Sequence, residues 1–131
     1  GGFASRLTQE LREGKGYTYG IRSGFAGGQG IGNFTVTSGV RANVTLEAAQ
    51  LARDIVRDYG STFTPADLET TRNALIKSRA RSFETSGDKL AVLEAIGDYG
   101  LPADYIALET QALQSLSLDQ VKAIAGEYFD T

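Results

Sequence analysis

The sequence has no cysteine and no histidine. Without cysteine there can be no disulfide framework and no thiolate chemistry, and the redox compartment stays open: cytoplasm, periplasm or, in a eukaryote, mitochondrion. The missing histidine excludes more, because zinc peptidase centres, His-based triads and most transition-metal sites need an imidazole. This chain alone cannot assemble them. No window approaches the roughly 18 to 20 uninterrupted apolar residues of a membrane helix, and no basic-then-apolar leader opens the sequence, so no membrane partner is expected. A concentrated positive charge is lacking too. Thirteen Lys and Arg stand against sixteen Asp and Glu, for a net charge of −3. They are spread through helical patterns without a basic stripe, which argues against nucleic acid as a partner.

What is present is 131 residues at 41% apolar composition, enough for one core and too few for two ordinary domains. One partial domain over 1–131 is expected. The chain enters a helical pattern directly from Gly1-Gly2-Phe3, as a mature product or a piece of something longer would.

Phe3, Leu7 and Leu11 form one helical stripe, and Gly14 and Gly16 supply the positive φ angles for its end and turn. From Thr18 the period becomes two, with Tyr19, Ile21 and Phe25 on one side and Thr18, Arg22 and Gly24 on the other. After the turn at Gly27-Gly28-Gln29-Gly30, Phe34, Val36 and Val40 alternate with Asn33, Thr35 and Thr37. A β-hairpin is the simplest account. The rest is helical in pattern. Ala48, Leu51, Ala52, Ile55, Val56 and Tyr59 make a stripe that Gly60 should terminate. Thr64-Pro65 then opens a helix running towards Phe83, with Thr64 as N-cap, Pro65 in the first position and Asp67 at the positive end of the dipole. A break at Ser86-Gly87 precedes a helix ending at Gly100, Pro102 opens another, and Ser117 with Gln120 forms a capping box for the last, which should bury Val121, Ile124, Ala125 and Phe129. Helix, hairpin, then helices gives an α+β class, an antiparallel sheet with helices packed on one face. A lone hairpin offers little surface for so many helices, so either further strands are missing or another copy supplies them.

The densest local feature is the run SRLTQELREGKGYTYG from Ser5 to Gly20. Read residue by residue, Arg12 at a helix end could complement the dipole or solvate a surface, and Tyr19, in register with Ile21 and Phe25, could be an ordinary core tyrosine. The run as a whole resembles the second-half signature of the insulinase, pitrilysin and mitochondrial processing peptidase family. In that signature an arginine at a helix end is followed seven residues later by a tyrosine, the spacing of Arg12 and Tyr19. Gly1-Gly2, Ser5-Arg6-Leu7, Leu11-Arg12-Glu13 and Gly16 also sit where the family pattern has their like. Beyond Val40 the likeness rests on element order.

The resemblance implies a processing-peptidase-like half-domain lacking its N-terminal strands, from a peptidase of two similar halves closing on a chamber. The other half would bring an HxxEH helix, zinc and a further glutamate ligand; this chain would bind no cofactor itself. Arg12 and Tyr19 would serve as catalytic groups: the phenol to stabilise charge on the attacked carbonyl oxygen, the guanidinium to hold substrate carbonyls or an acidic group. The implied partners are the HxxEH half and a peptide substrate. The alternative is a non-catalytic assembly subunit or binding module of the same fold.

Other clusters point to less. Gly27, Gly28, Gly30 and Gly32 join two strand patterns, where a phosphate-cradling loop would open onto a helix. Glu13, Glu47, Asp54, Asp58 and Glu69 are scattered without a pair placed for acid/base work. Lys77, Arg79 and Arg81 read as a solvated helix face. An incomplete sheet leaves edges that can pair with another chain, so a homodimer of the fragment is expected at high concentration.

Overall fold

Among the described residues, Leu7 and Leu11 are the two largest side chains fully withdrawn from solvent, at 0% and 1% exposure, and the N-terminal elements are organised around them. In the computed structural model, which describes residues 6–129, the expected first helix is present but wound wide. Thr8–Gly14 is a π-helix. The Lys15 N–H reaches five residues back to the Glu10 carbonyl at 2.9 Å. A Cβ on Gly14 would sit 3.2 Å from the Gln9 carbonyl oxygen, so the wide turn favours a residue without one. Gly16, at φ +61, makes the turn into the first strand as the sequence suggests. Phe3, expected on the same stripe, and Gly1, Gly2 and Ser5 of the signature lie outside the described residues.

The chain divides into two compact units, one running to Thr64 and resuming at Asp119, the other Pro65–Leu118. The first unit holds the π-helix, strands β1 (Thr18–Ala26) and β2 (Asn33–Val40), helix α1 (Thr45–Arg57), a short α2 (Tyr59–Thr62) and the terminal helix, here α6 (Leu118–Phe129). β1 and β2 pair antiparallel as a two-stranded sheet, joined through Gly27–Gly32. Ile21 opposite Ser38, Ser23 opposite Val36 and Phe25 opposite Phe34 share one face, while Arg22, Thr35, Thr37 and Asn33 are exposed on the other. Ile21 joins Leu7, Leu11 and Ala48 in the core, with Tyr17, Val36, Val40, Leu51, Ala52 and Ile55 packed against it. The class is α+β, as the order of patterns implies. At the turn end of the hairpin Phe34 stacks against Phe25 and Phe129, with centroids 4.9 and 5.0 Å away.

Two expectations about this unit need correcting. Gly60 does not end the helix; α1 stops at Arg57 and Gly60 lies inside α2. Its reason is close approach, since a Cβ there would come within 3.1 Å of the Ala125 Cβ on α6. Of the residues expected to be buried by the last helix, Ala125 is, Val121 and Phe129 are half-buried, and Ile124 is exposed. Arg6 clamps α2 to the start of the chain: its guanidinium lies 5.0 Å from the Tyr59 ring centroid and donates to the Thr62 hydroxyl and carbonyl.

The second unit contains α3 (Pro65–Ala80), α4 (Ser86–Tyr99) and α5 (Tyr105–Ser115). α3 begins at Pro65 as expected, and α4 ends on Gly100 at φ +62. Ser86-Gly87 is the first turn of α4, not a break before it, because Thr85 and Asp88 form a reciprocal capping box. The hydrogen bonds from Thr85 hold the Asp88 carboxyl below the usual aspartate range. None of these helices has a fully buried residue, so polar ties carry weight between α3 and α5. Arg79 pairs with Glu109 at 2.6 Å, which corrects the reading of Arg79 as merely solvated, and Arg72 donates to the Leu113 carbonyl at 3.0 Å and to the Leu116 carbonyl. Arg72 thus satisfies carbonyls that the end of α5 leaves open. Arg72→Ala should lower stability by about 1.5–3 kcal/mol, and Arg72→Lys should recover less than half, because a single ammonium cannot reproduce the planar fork. Urea unfolding checks both; equal stability of the lysine variant and the wild type would contradict the fork.

Candidate functional site

Arg12 and Tyr19 each stand on irregular backbone. Arg12 belongs to the π-helix, whose end is pinned by the Gly16 N–H on the Arg12 carbonyl at 3.1 Å and the Tyr17 N–H on the Leu11 carbonyl at 2.8 Å. Leu11 points into the core, and Arg12, next along, is exposed. π-turns are rare and are frequently found at functional sites.

Tyr19 sits in a β-bulge. Thr18 pairs with Val40 and Ile21 with Ser38, so Tyr19 and Gly20 together oppose Gly39. The extra residue breaks the alternation: Thr18 and Ile21 are both buried, while Tyr19 is 98% exposed. Tyr19 therefore does not share a face with Ile21 and Phe25, and it is no core tyrosine. Neither the Arg12 guanidinium nor the Tyr19 phenol has a hydrogen bond or ion pair among the described residues. Both are free donors at the surface of one unit.

Hydroxyls fill the bulge. The Thr18 Oγ1 lies 2.8 Å from the Gly39 carbonyl, receives the Gly20 N–H at 3.1 Å, and lies 2.8 Å from the Ser38 Oγ. Ser38 Oγ in turn is 2.9 Å from the Gly20 carbonyl. One assignment uses each proton once: Thr18 donates to Gly39, Ser38 to Gly20, and the Gly20 N–H to Thr18. These two residues were not singled out from the sequence. Gly20 inside the strand pattern was the available signal, since an isolated strand glycine often marks a bulge.

A separate apolar cleft of about 680 Å³ opens between the sheet and α1, floored by Ile21, Phe34, Val36 and Val40 and walled by Ala48, Ala52 and Val56. Leu11 lines it, but Arg12 and Tyr19 do not. Its rim cations are engaged: Arg53 and Arg57 reach Asp54 at 3.0 and 3.4 Å, and Arg57 holds Asp58 at 2.9 Å. That hydrogen bond from Arg57 lowers the Asp58 pKa. Zinc's imidazole and thiolate donors are absent from the sequence, and no three carboxylates converge among the described residues. The donors of the described residues do not make a zinc site.

No curated protein sequence matches the chain. Several solved structures are similar to it. The crystal structure of a peptidase M16 inactive domain from Pseudomonas fluorescens superposes with a TM-score of 0.85 at 32% identity, over 98% of this chain and 31% of that one. The periplasmic protease PqqL from Escherichia coli shares the fold, with a TM-score of 0.75 at 13% identity, over 96% of this chain and 15% of that one. The chain thus spans less than a third of the length of either. The sequence profile described as the peptidase M16 inactive domain matches residues 1–75, a stretch that contains the π-helix, the bulge and both exposed donors. With more than half of its length inside that profile, the chain belongs to the peptidase M16 inactive domain family.

Proposed function

We propose that this chain is the non-metal half of a zinc-dependent endopeptidase and that it presents Arg12 and Tyr19 to the substrate. The observation that carries the reading is the exposure of Tyr19. An aromatic ring that could cover apolar surface is held 98% exposed by a bulge, with its hydroxyl unengaged among the described residues. Free donors on irregular backbone are what a site for a developing oxyanion needs. When a nucleophile adds to a peptide carbonyl, the π electrons move to oxygen. The Tyr19 O–H, donating a hydrogen bond to that oxygen, interacts more strongly as the charge grows. The Arg12 fork suits a substrate carbonyl or carboxylate, and its charge does not depend on pH. The partner half, with HxxEH and a further glutamate, would hold the metal and supply the nucleophile. PqqL, a protease of the same fold, is in keeping with this reading.

Alone, the chain should cleave no peptide. Mixed with an HxxEH-bearing half encoded in the same or a neighbouring gene, it should raise cleavage of an internally quenched peptide by at least about 10²-fold, the loss usual for a missing oxyanion donor. A catalytic half equally active without this chain would sink the reading.

The apolar cleft favours a second reading, an assembly module that handles no peptide. Its floor is built to pack against something, and neither Arg12 nor Tyr19 borders it. Absence of HxxEH from both the upstream sequence and the neighbouring gene would decide for assembly.

A further inference from the structure

The strand β1 has two ways to meet β2, and they differ in what happens to Tyr19. Keep Ile21 opposite Ser38 and remove the bulge, and Gly20 would face Gly39 and Tyr19 would face Val40. By strict alternation Tyr19 would then lie on the apolar face with Ile21, and Thr18 would turn outward. Hydrophobic burial alone favours that flat register, since it covers a tyrosine ring and frees a threonine. The observed register does the reverse, with Thr18 at 6% exposure and Tyr19 at 98%. Something must offset the ring's exposure.

We propose that the hydroxyls of Thr18 and Ser38 are that counterweight, and that both residues are positioning residues for Tyr19. At the bulge Gly20 and Gly39 are out of regular register, and their peptide groups are the ones the two hydroxyls engage. The Thr18 hydroxyl reaches them only from inside. Turned outward it would lose the Gly39 carbonyl, the Gly20 N–H and the Ser38 hydroxyl together. The cluster therefore selects the register in which the phenol faces out. The catalytic consequence of this rests on the role proposed for Tyr19; the conformational consequence does not.

The experiment uses the full-length protein combined with its HxxEH half. Tyr19 exposure is read by tetranitromethane nitration, resolved by fragment ions, with the half-buried Tyr17 of the same peptide as internal reference. Turnover is read on one internally quenched decapeptide. In the Thr18→Val/Ser38→Ala variant, nitration of Tyr19 relative to Tyr17 should fall at least about fivefold and kcat about tenfold, with KM within about twofold, because the lost donor acts on developing charge. Thr18→Ser, which keeps the hydroxyl, should restore both. In a Tyr19→Phe background the double change should lower kcat no further. Unchanged nitration overturns the proposal, as does an additive loss in the Tyr19→Phe background. If Tyr19→Phe itself leaves kcat unaltered, the catalytic role of the phenol falls, while nitration still decides whether the hydroxyls set its direction. Should the double variant not fold, Ser38→Ala and Thr18→Ser measured singly give the same decision, with Ser38→Ala expected to lower nitration and Thr18→Ser to preserve it.

Discussion

Replacing Tyr19 by Phe in the assembled enzyme should lower kcat about 10²- to 10³-fold and leave KM within about a factor of two, the pattern of a donor lost from the transition state. The ring has no packing to lose. It is 98% exposed and its hydroxyl has no hydrogen bond among the described residues, so the substitution removes one O–H and leaves the fold undisturbed. Stability should move by less than about 0.5 kcal/mol, as for surface changes away from packed features. That separation of activity from stability is what makes the variant informative. Arg12→Lys should behave differently, raising KM more than it lowers kcat, because a guanidinium holding substrate acts on the ground state as well. Steady-state kinetics on a quenched peptide checks both. A Tyr19→Phe enzyme with wild-type kcat would remove the phenol from the mechanism and leave the assembly reading in possession.

The route from sequence to site was open at some residues and closed at others, for physical reasons. Leu7 and Leu11 announce the buried side of the first turn, and strict alternation over Asn33–Val40 gives β2 and its inward face, because nothing interrupts the period there. β1 defeats the same rule. Its bulge inserts one residue, so the alternation read from Thr18 puts Tyr19 beside Ile21 when the strand puts Thr18 there. A periodicity argument assumes the ladder that the bulge breaks, and only Gly20 hints at the break. The winding of Thr8–Gly14 is similarly hidden, since π and α turns place Leu7 and Leu11 on nearly the same side. Gly60 could be read as a stop because glycine serves both ends and close crossings, and the partner that decides, Ala125, is 65 residues away in sequence. Thr85 escaped notice as a cap because its partner is Asp88 where Glu or Gln is the commoner third residue. The candidate pair could be named from the sequence for another reason: the Arg12 to Tyr19 spacing is local, so no distant contact is needed to see it.

Locality also exposes both donors to a single packing fault, and the largest stability effect should arise there. Leu7→Ala should cost about 3–4 kcal/mol and Leu11→Ala about 2–3 kcal/mol, within the range for buried leucines. The order follows from surroundings. Leu7 is wholly enclosed and does not line the apolar cleft, so its truncation leaves the more closed void, whereas Leu11 lines the cleft and its loss only enlarges a space that already reaches solvent. Urea midpoints at constant slope measure the difference. Activity should rank the other way. Leu11 lies between the chain's core and Arg12, and its carbonyl takes the Tyr17 N–H that closes the turn into β1. Shortening its side chain loosens the π-helix where both donors depend on it, so Leu11→Ala should lower kcat/KM more than Leu7→Ala does, although it unfolds the protein less. If the two variants lose activity in proportion to stability, the π-helix merely packs, and Arg12 gains nothing from its winding.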